Sequence, residues 1–568
     1  VHFDADLSEG ISVQLHDIAA DLGPAGRLAG SGNYREGRVG LSLKTAGLDL
    51  RGLHGTLHRT QLSGGLKLDA GQAVQNLRAS LTQGASGGLP RINMDLEAQL
   101  RDRLVVINRS FIEAGDSNAS VEGRVALDAP RAFSLSGAVA RLDPSDFGEY
   151  PSASINASFK AEGRALPALR ATLAMDVASS RFRDIPVSAQ AKGEVWQEAS
   201  RSPQGDAPFW TTWHVRDALI RARAAGNNLE LKGDYGARGD RMAWRVDAPQ
   251  LSRLGKEFGG AASGSGVVGG TPAEPSGRFQ LSAKDLRLPG GHRLAMLQAE
   301  GNLDDGLKGH LTLDATMKAY ASSAFSLSSG VVKANGTLDE HTIRVGVRNG
   351  RLELDAQLQG GWKSGPAMMD FATGAWQGQL LKLENRGRYP ATLLKPASLR
   401  IAGDAFSLRQ AMVSLGEGRL RIEELIRQDS RWSSKGELIG FAPEYLAPLY
   451  TMPPDMRSSL RLGGQWNLAV GQAIEGSVDL RRESGDLTWM RTPPVPLGLS
   501  RLQLQAKADG GQLIVDAQVS GARVGQSSAR ARAALEKTDS GWRIAPDAPL
   551  TADLQSAMPS IDWLARLV

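Results

Sequence analysis

The sequence predicts an all-β fold, built of antiparallel strands repeated from end to end with only a few short helices. Three observations carry that prediction. Apolar and polar residues alternate with period two along most of the 568 residues, turn-forming residues interrupt the alternation roughly every 8–14 residues, and helical periodicity is nearly missing.

The alternation is plainest in Leu48-Asp49-Leu50, Leu66-Lys67-Leu68, Phe279-Gln280-Leu281, Leu286-Arg287-Leu288, Leu352-Glu353-Leu354, Leu399-Arg400-Ile401, Leu420-Arg421-Ile422, Val478-Asp479-Leu480 and Leu502-Gln503-Leu504. Successive side chains of a strand point to opposite faces, so each such segment has one aliphatic face and one wet, charged face. Gly64-Gly65, Asp304-Asp305-Gly306, Asn349-Gly350 and Asp509-Gly510-Gly511 are the turn signals between them. With 66 Gly, 26 Pro and only 5% aromatic residues, frequent chain reversal around an aliphatic interior is expected.

The few helical turns recur in one setting, where an apolar strand end runs through Asp, Pro or Ser into a short amphipathic stretch. Examples are Leu142-Asp143-Pro144-Ser145-Asp146-Phe147, Leu251-Ser252-Arg253-Leu254-Gly255-Lys256-Glu257-Phe258, Phe441-Ala442-Pro443-Glu444-Tyr445-Leu446 and Ile561-Asp562-Trp563-Leu564. The spacing suggests a weak repeat of roughly 110 residues, a run of strands followed by a short helix. On this basis the chain divides into repeat units at 1–150, 151–258, 276–450 and 451–568. The Gly/Ser/Ala-rich stretch 259–275 is expected to be a loop or joint, and Gln197–Asp206 a long polar loop.

Bulk charge excludes one class of partner. The 66 Lys+Arg and 61 Asp+Glu nearly cancel to +5 and are interspersed, whereas nucleic acid calls for a concentrated basic patch. The absence of cysteine rules out disulfides, Cys-ligated zinc and thiol catalysis, and suits an oxidising compartment. No apolar run is long enough for a membrane-spanning helix, and the first residue is Val1, so the chain reads as a piece of a longer protein.

Motifs with chemical meaning fail on context. Gly84-Ala85-Ser86-Gly87-Gly88 spells a nucleophile elbow, but Leu89-Pro90-Arg91 follows where a helix must start. Gly264-Ser265-Gly266-Val267-Val268-Gly269 spells a dinucleotide fingerprint, but Gly270-Thr271-Pro272 follows it. His54 and His58 would align as metal ligands on a helix, whereas along a strand they stand ~13 Å apart. The carboxylates Asp49, Glu353 and Asp479 occupy wet strand positions. The chain is therefore expected to be no enzyme and to need no metal or cofactor.

A sheet with one aliphatic face must cover it with a second sheet, a helix layer, or something outside the chain. Fold physics alone favours a string of β-sandwiches; the shortage of helices, the low aromatic content and the regular meander point instead to a sheet curled into a hydrophobic groove and covered by ligand. Acyl chains suit such a lining, at about 0.8 kcal/mol for each buried methylene. The candidate lining residues are the aliphatic partners of charged strand positions: Leu48, Leu50, Leu66, Leu68, Leu281, Leu286, Leu288, Leu352, Leu354, Leu399, Ile401, Leu420, Ile422, Leu502 and Leu504. An outer-membrane barrel and an array of β-sandwiches share the same periodicity and stay open as alternatives.

The later part of the chain also resembles a known family. Ala375-Trp376-Gln377-Gly378-Gln379-Leu380, Pro396-Ala397-Ser398-Leu399 and Arg431-Trp432-Ser433-Ser434-Lys435-Gly436-Glu437-Leu438 are similar to the strands of TamB / AsmA-like proteins. So are Leu462-Gly463-Gly464-Gln465-Trp466-Asn467-Leu468 and the stretch from Gly476 to Leu499. The resemblance implies an elongated repeating β-groove in the periplasm of a diderm bacterium, carrying phospholipid between inner and outer membrane. It also implies a role in outer-membrane homeostasis and assembly, a TamA-type barrel partner met through regions outside this chain, and an inner-membrane anchor not present in it.

Overall fold

A computed structural model describes residues 2–6, 11–52, 55, 57–85, 90–148, 150–197, 213–271, 274–304, 306, 308–323, 325–363, 374–446, 453, 455–490, 492–538, 541–545 and 548–559. As the alternation predicts, the chain is all-β, and among the described residues its helices are single 3-10 turns. It falls into two units, Val1–Arg293 and Leu294–Val568.

In the first unit every strand pairs antiparallel with the next one in sequence, from His2–Asp6 through to Pro275–Leu288. Tight hairpins make this meander possible. At Asp102-Arg103 and Arg183-Asp184 both central residues have positive φ, the turn whose twist matches that of the strands it joins. In the second unit the same meander runs from His310–Ala321 to Gln512–Gly521 and on to Gly525–Thr538 and Thr551–Ala557. A small side sheet joins Met456–Ser458, Leu487–Trp489 and Val495–Pro496.

The strands are bent by β-bulges, which add a residue on one side of a pair and turn the sheet. Register shifts occur between Thr45 and Leu48, Ile107 and Ser110, Val139 and Leu142, and Val177 and Ser180 in the first unit. In the second they occur between Ile422 and Glu424 and between Leu438 and Phe441. Bulges also preserve the apolar face across breaks in the alternation. Leu281 and Leu286 are an odd number of residues apart, which strict alternation would place on opposite faces. Asp285, at φ 50°, is the extra residue: Lys284 faces Ala261 and Arg287 faces Gly259, so Leu286 returns to the face of Leu281.

The 3-10 turns follow strand ends. Pro144–Asp146, Leu251–Leu254 and Pro443–Leu446 coincide with the recurrent segments of the sequence; the fourth, Ile561–Leu564, lies outside the described residues. Asp143 caps the first of them, accepting from the backbone N–H of Ser145 at 3.0 Å and of Ala153 at 3.1 Å. Its carboxyl stands below its ordinary range: burial pushes it up, but the hydrogen bonds from Ser145 and Ala153 outweigh that. Packed apolar clusters gather at strand ends. One joins Leu48, Leu62, Ile92 and Ala114, with Leu50 and Phe147 against them.

The stretch 259–275 is not a joint. Gly259–Gly270 is a full strand between Arg241–Ala248 and Pro275–Leu288. The physical reason is Trp244, whose indole lies against this strand: a β-carbon at Gly266 would stand 2.7 Å from the indole nitrogen, and one at Gly264 would stand 3.3 Å from the ring. A neighbouring aromatic ring supplies the packing that these glycines lack. The expected loop Gln197–Asp206 lies outside the described residues beyond Gln197, as do His54 and Ser86. His58 is placed, its Nε2 3.0 Å from the Ser145 carbonyl oxygen, as a link from its loop to the Pro144 turn.

Candidate functional site: the apolar sheet face

The site is a surface. Following cross-strand partners from one strand to the next, apolar residues fall into continuous rows. In the first unit one row runs Gly30, Leu43, Leu66, Ala79, Leu96, Ser110, Val121, Gly137, Phe159, Met175, Ala191, Ile220, Leu231, Trp244, Gly266 and Phe279. Ser110 is its single polar member. A second row, two residues along each strand, passes from Gly64 through Leu81, Met94, Ile112, Ala119, Val139, Ala157, Val177, Ala189, Ala222, Leu229, Val246 and Gly264 to Leu281 with no polar residue at all. A third, on the other side of the first, includes Leu41, Leu68, Leu77, Ala98, Ile107, Leu135 and Leu173.

The second unit has the same construction. Val413, Leu420, Leu438, Gly464, Leu480, Leu504, Ala517, Ala529 and Leu554 form one row. Beside it run Ala411, Ile422, Gly436, Trp466, Val478, Ala506, Val515, Ala531 and Ala552. Farther up the chain Leu354 continues through Val347 and Gly330 to Met317.

These rows are only partly covered by the chain. Leu173 is 40% exposed and Met175 45%, values that belong to a surface rather than to an interior. The chain exposes 34919 Å² in total, against roughly 23,500 Å² for two compact units of half its mass each. The sheets are therefore not folded against a covering layer, and together with the bulges the rows describe a groove lined by apolar side chains. Apolar surface on this scale marks an interaction site.

The opposite face is polar by the same register. Cross-strand ion pairs lie along it, among them Arg78 with Glu97 at 2.9 Å, Arg221 with Glu230 at 3.3 Å and Lys333 with Asp314 at 2.6 Å. In the second unit they join into a network. Arg348 meets Asp355 at 3.1 Å, Arg386 meets Glu384 at 2.8 Å and Asp355 at 3.5 Å, and Lys382 meets Glu384 at 2.9 Å. Hydrogen bonds from Arg386 and then Lys382 bring the Glu384 carboxyl down to about 2. Among the described residues no cluster of three or more His, Asp or Glu side chains is arranged to hold a metal.

The candidate lining residues divide into distinct settings. Leu66, Leu68, Leu281, Leu354 and Leu504 stand in the rows, half-buried; Leu420 and Ile422 stand in them too but pack against a cluster of Leu393, Ala397, Ala411 and Val413. Leu399 also stands in line, between Gly378 and Leu408, but is 8% exposed. Ile401, between Trp376 and Phe406, is 40% exposed. Leu286 is half-buried and Leu288 lies exposed at the end of its strand. Leu352 precedes its strand in a turn closed by Asn349, which accepts its N–H at 2.7 Å. Leu48 and Leu50 belong to the packed strand-end cluster, and Leu502 packs on another formed by Leu460, Leu462 and Leu499.

Reading only Leu and Ile beside charges missed the small and aromatic members of the rows. Phe159 between Ser158 and Lys160, and Trp244 between Ala243 and Arg245, carry the same alternation signal. The pairing of large residues with glycine went unread as well. Trp466 lies over Gly436, where a β-carbon would come within 2.4 Å of its ring, and Trp376 over Gly360 and Gly378. The tryptophan and glycine pattern of these strands is thus a packing device for the apolar face.

The family model described as TamB, N-terminal domain, matches residues 62–541. No curated protein matches the chain.

Proposed function

Since this chain belongs to the TamB family, we propose that its apolar sheet face carries phospholipid acyl chains along the groove between the inner and outer membranes. Membership implies a TamB-type role in outer-membrane assembly, and with it a TamA-type partner and a membrane-anchored, periplasmic setting. Among the described residues no helix is long and apolar enough to cross a membrane.

The observation that carries the lipid reading is the continuity of the apolar rows. A chain of 16 carbons loses on the order of 10 kcal/mol on entering water, and an uninterrupted apolar line restores most of that at every position along it. Movement then requires no catalytic residue and no cofactor, only a lining without a deep trap. The polar member of the first unit's first row, Ser110, is a small hydroxyl that an acyl chain passes without burying a charge, and in the second unit the row of Leu354 ends against Asn385. A string of closed β-sandwiches would bury these rows against a second sheet, and the large exposed area speaks against that reading.

Photo-crosslinking side chains at Leu66, Met175 and Leu504 should capture phospholipid from cells, while those at Lys67, Asp176 and Gln503 on the polar face should not. Equal labelling of both faces, or none on either, would overturn the proposal.

A further inference from the structure

The polar face of the first unit holds a feature that acyl-chain carriage does not use. A cavity of about 880 Å³ lies across the strands from Leu104–Ala114 to Trp213–Ala224. Two polar rows line it, one running from Phe111 and Ser120 to Arg221 and the other from Glu122 to Leu219. The apolar row between them contributes, but neither of the flanking apolar rows does. The cavity therefore opens on the polar side, as a trough between two rows of side chains over six strand spacings, roughly 29 Å.

Its charges are unevenly satisfied. Arg221 is paired with Glu230, Asp176 accepts from the Gln190 amide at 2.8 Å, and Glu122 accepts from the Ser136 hydroxyl at 3.2 Å. The nearest acids on the strands of the two lysines are also engaged: Glu162 by Ser134 at 3.3 Å and Glu194 by Arg170 at 2.5 Å. Lys160 and Lys192 form no ion pair among the described residues. They are cross-strand partners of the same residue, Ala174, one on each side. All three are exposed, so two ammonium groups flank a gap that the methyl side chain of Ala174 leaves open.

We propose that this recess is a binding site for a small soluble phosphate ester, its phosphate seated over Ala174 between Lys160 and Lys192. A phosphate monoester carries about −1.5 to −2 charge at neutral pH, which matches two ammonium groups as a carboxylate does not. Lysine serves as a point-charge phosphate ligand. The Ser158 hydroxyl, in the adjoining polar row, can donate to the same anion, and Asp176 in that row disfavours ligands with a second anionic group on that side. The recess also selects against a flat membrane surface, whose headgroups cannot enter it together.

The test is calorimetric titration of the whole chain with glycerol 3-phosphate, with inorganic phosphate and vesicles of anionic phospholipid as separate arms. Saturable binding of glycerol 3-phosphate is expected, weakened at least tenfold in the double variant Lys160→Gln/Lys192→Gln and in Ala174→Leu, and unchanged in Lys67→Gln elsewhere on the polar face. Should the double variant show an altered thermal melt, Ala174→Leu, which keeps both charges, decides. Undiminished binding in these variants, or binding to vesicles without saturable binding of glycerol 3-phosphate, overturns the proposal.

Discussion

The indole nitrogen of Trp376 donates to Nε2 of His341 at 2.9 Å, and both side chains are buried. The other imidazole nitrogen, Nδ1, lies 2.8 Å from the Thr337 carbonyl oxygen, which assigns its proton to Nδ1 and leaves Nε2 as acceptor. This pair ties the strand Ala375–Asn385 to the strand His341–Arg348 two positions away in the sheet. It also fixes the tryptophan that lies over Gly360 and Gly378.

Replacing His341 by Leu leaves the buried indole N–H without its acceptor, which costs about 1–3 kcal/mol. Urea unfolding followed by tryptophan fluorescence should show the midpoint lowered accordingly. His341→Gln, which restores an acceptor, should recover part of the loss.

Gly436→Val should displace Trp466. The added atoms meet its ring and the Arg421 carbonyl, and the bond from its indole nitrogen to Ser434 Oγ at 2.9 Å is lost with the ring's position. Overpacking of this kind costs about 1–3 kcal/mol. The measurement is the near-ultraviolet circular dichroism of the tryptophan together with the thermal midpoint.

Leu62 and Met175 separate interior from lining. Leu62 is fully buried in a packed cluster, so Leu62→Ala should cost about 2–5 kcal/mol. Met175 is 45% exposed in an apolar row, so Met175→Ala should change stability little while reducing lipid capture at neighbouring crosslinking positions. Comparable destabilisation by the two would identify Met175 as core.

The Glu384 carboxyl sets a direction with pH. Its folded value is depressed from 4.5 to about 2 by Arg386 and Lys382, so its stabilising contribution is present above 4.5 and is lost as pH falls through about 2. Glu384→Gln should therefore lower the thermal midpoint at neutral pH, with the difference from the parent chain shrinking progressively below 4.5. A difference independent of pH would show that packing, not charge, sets it.

Alternation made the strands legible because it is local: Leu66-Lys67-Leu68 states its two faces without reference to any partner. The 3-10 turn at Pro144 was legible for the same reason, since Asp143 accepts from the backbone of its own turn, whereas the Leu251 turn is held by Asn227 of an earlier strand. The stretch 259–275 was misread because its strand character depends on Trp244 of the preceding strand, and composition alone cannot report a ring lying across it.

By itself the sequence determined an all-β antiparallel chain with one apolar and one charged face, because the period-two pattern of side chains is a property of each strand alone. Only the tertiary structure decided which apolar residues line the open face and which close strand-end clusters, as Leu66 and Leu48 differ despite identical local patterns. That choice is made by register and bulges, which depend on pairing between strands. One extra residue at Asp285 moves every side chain after it to the other face.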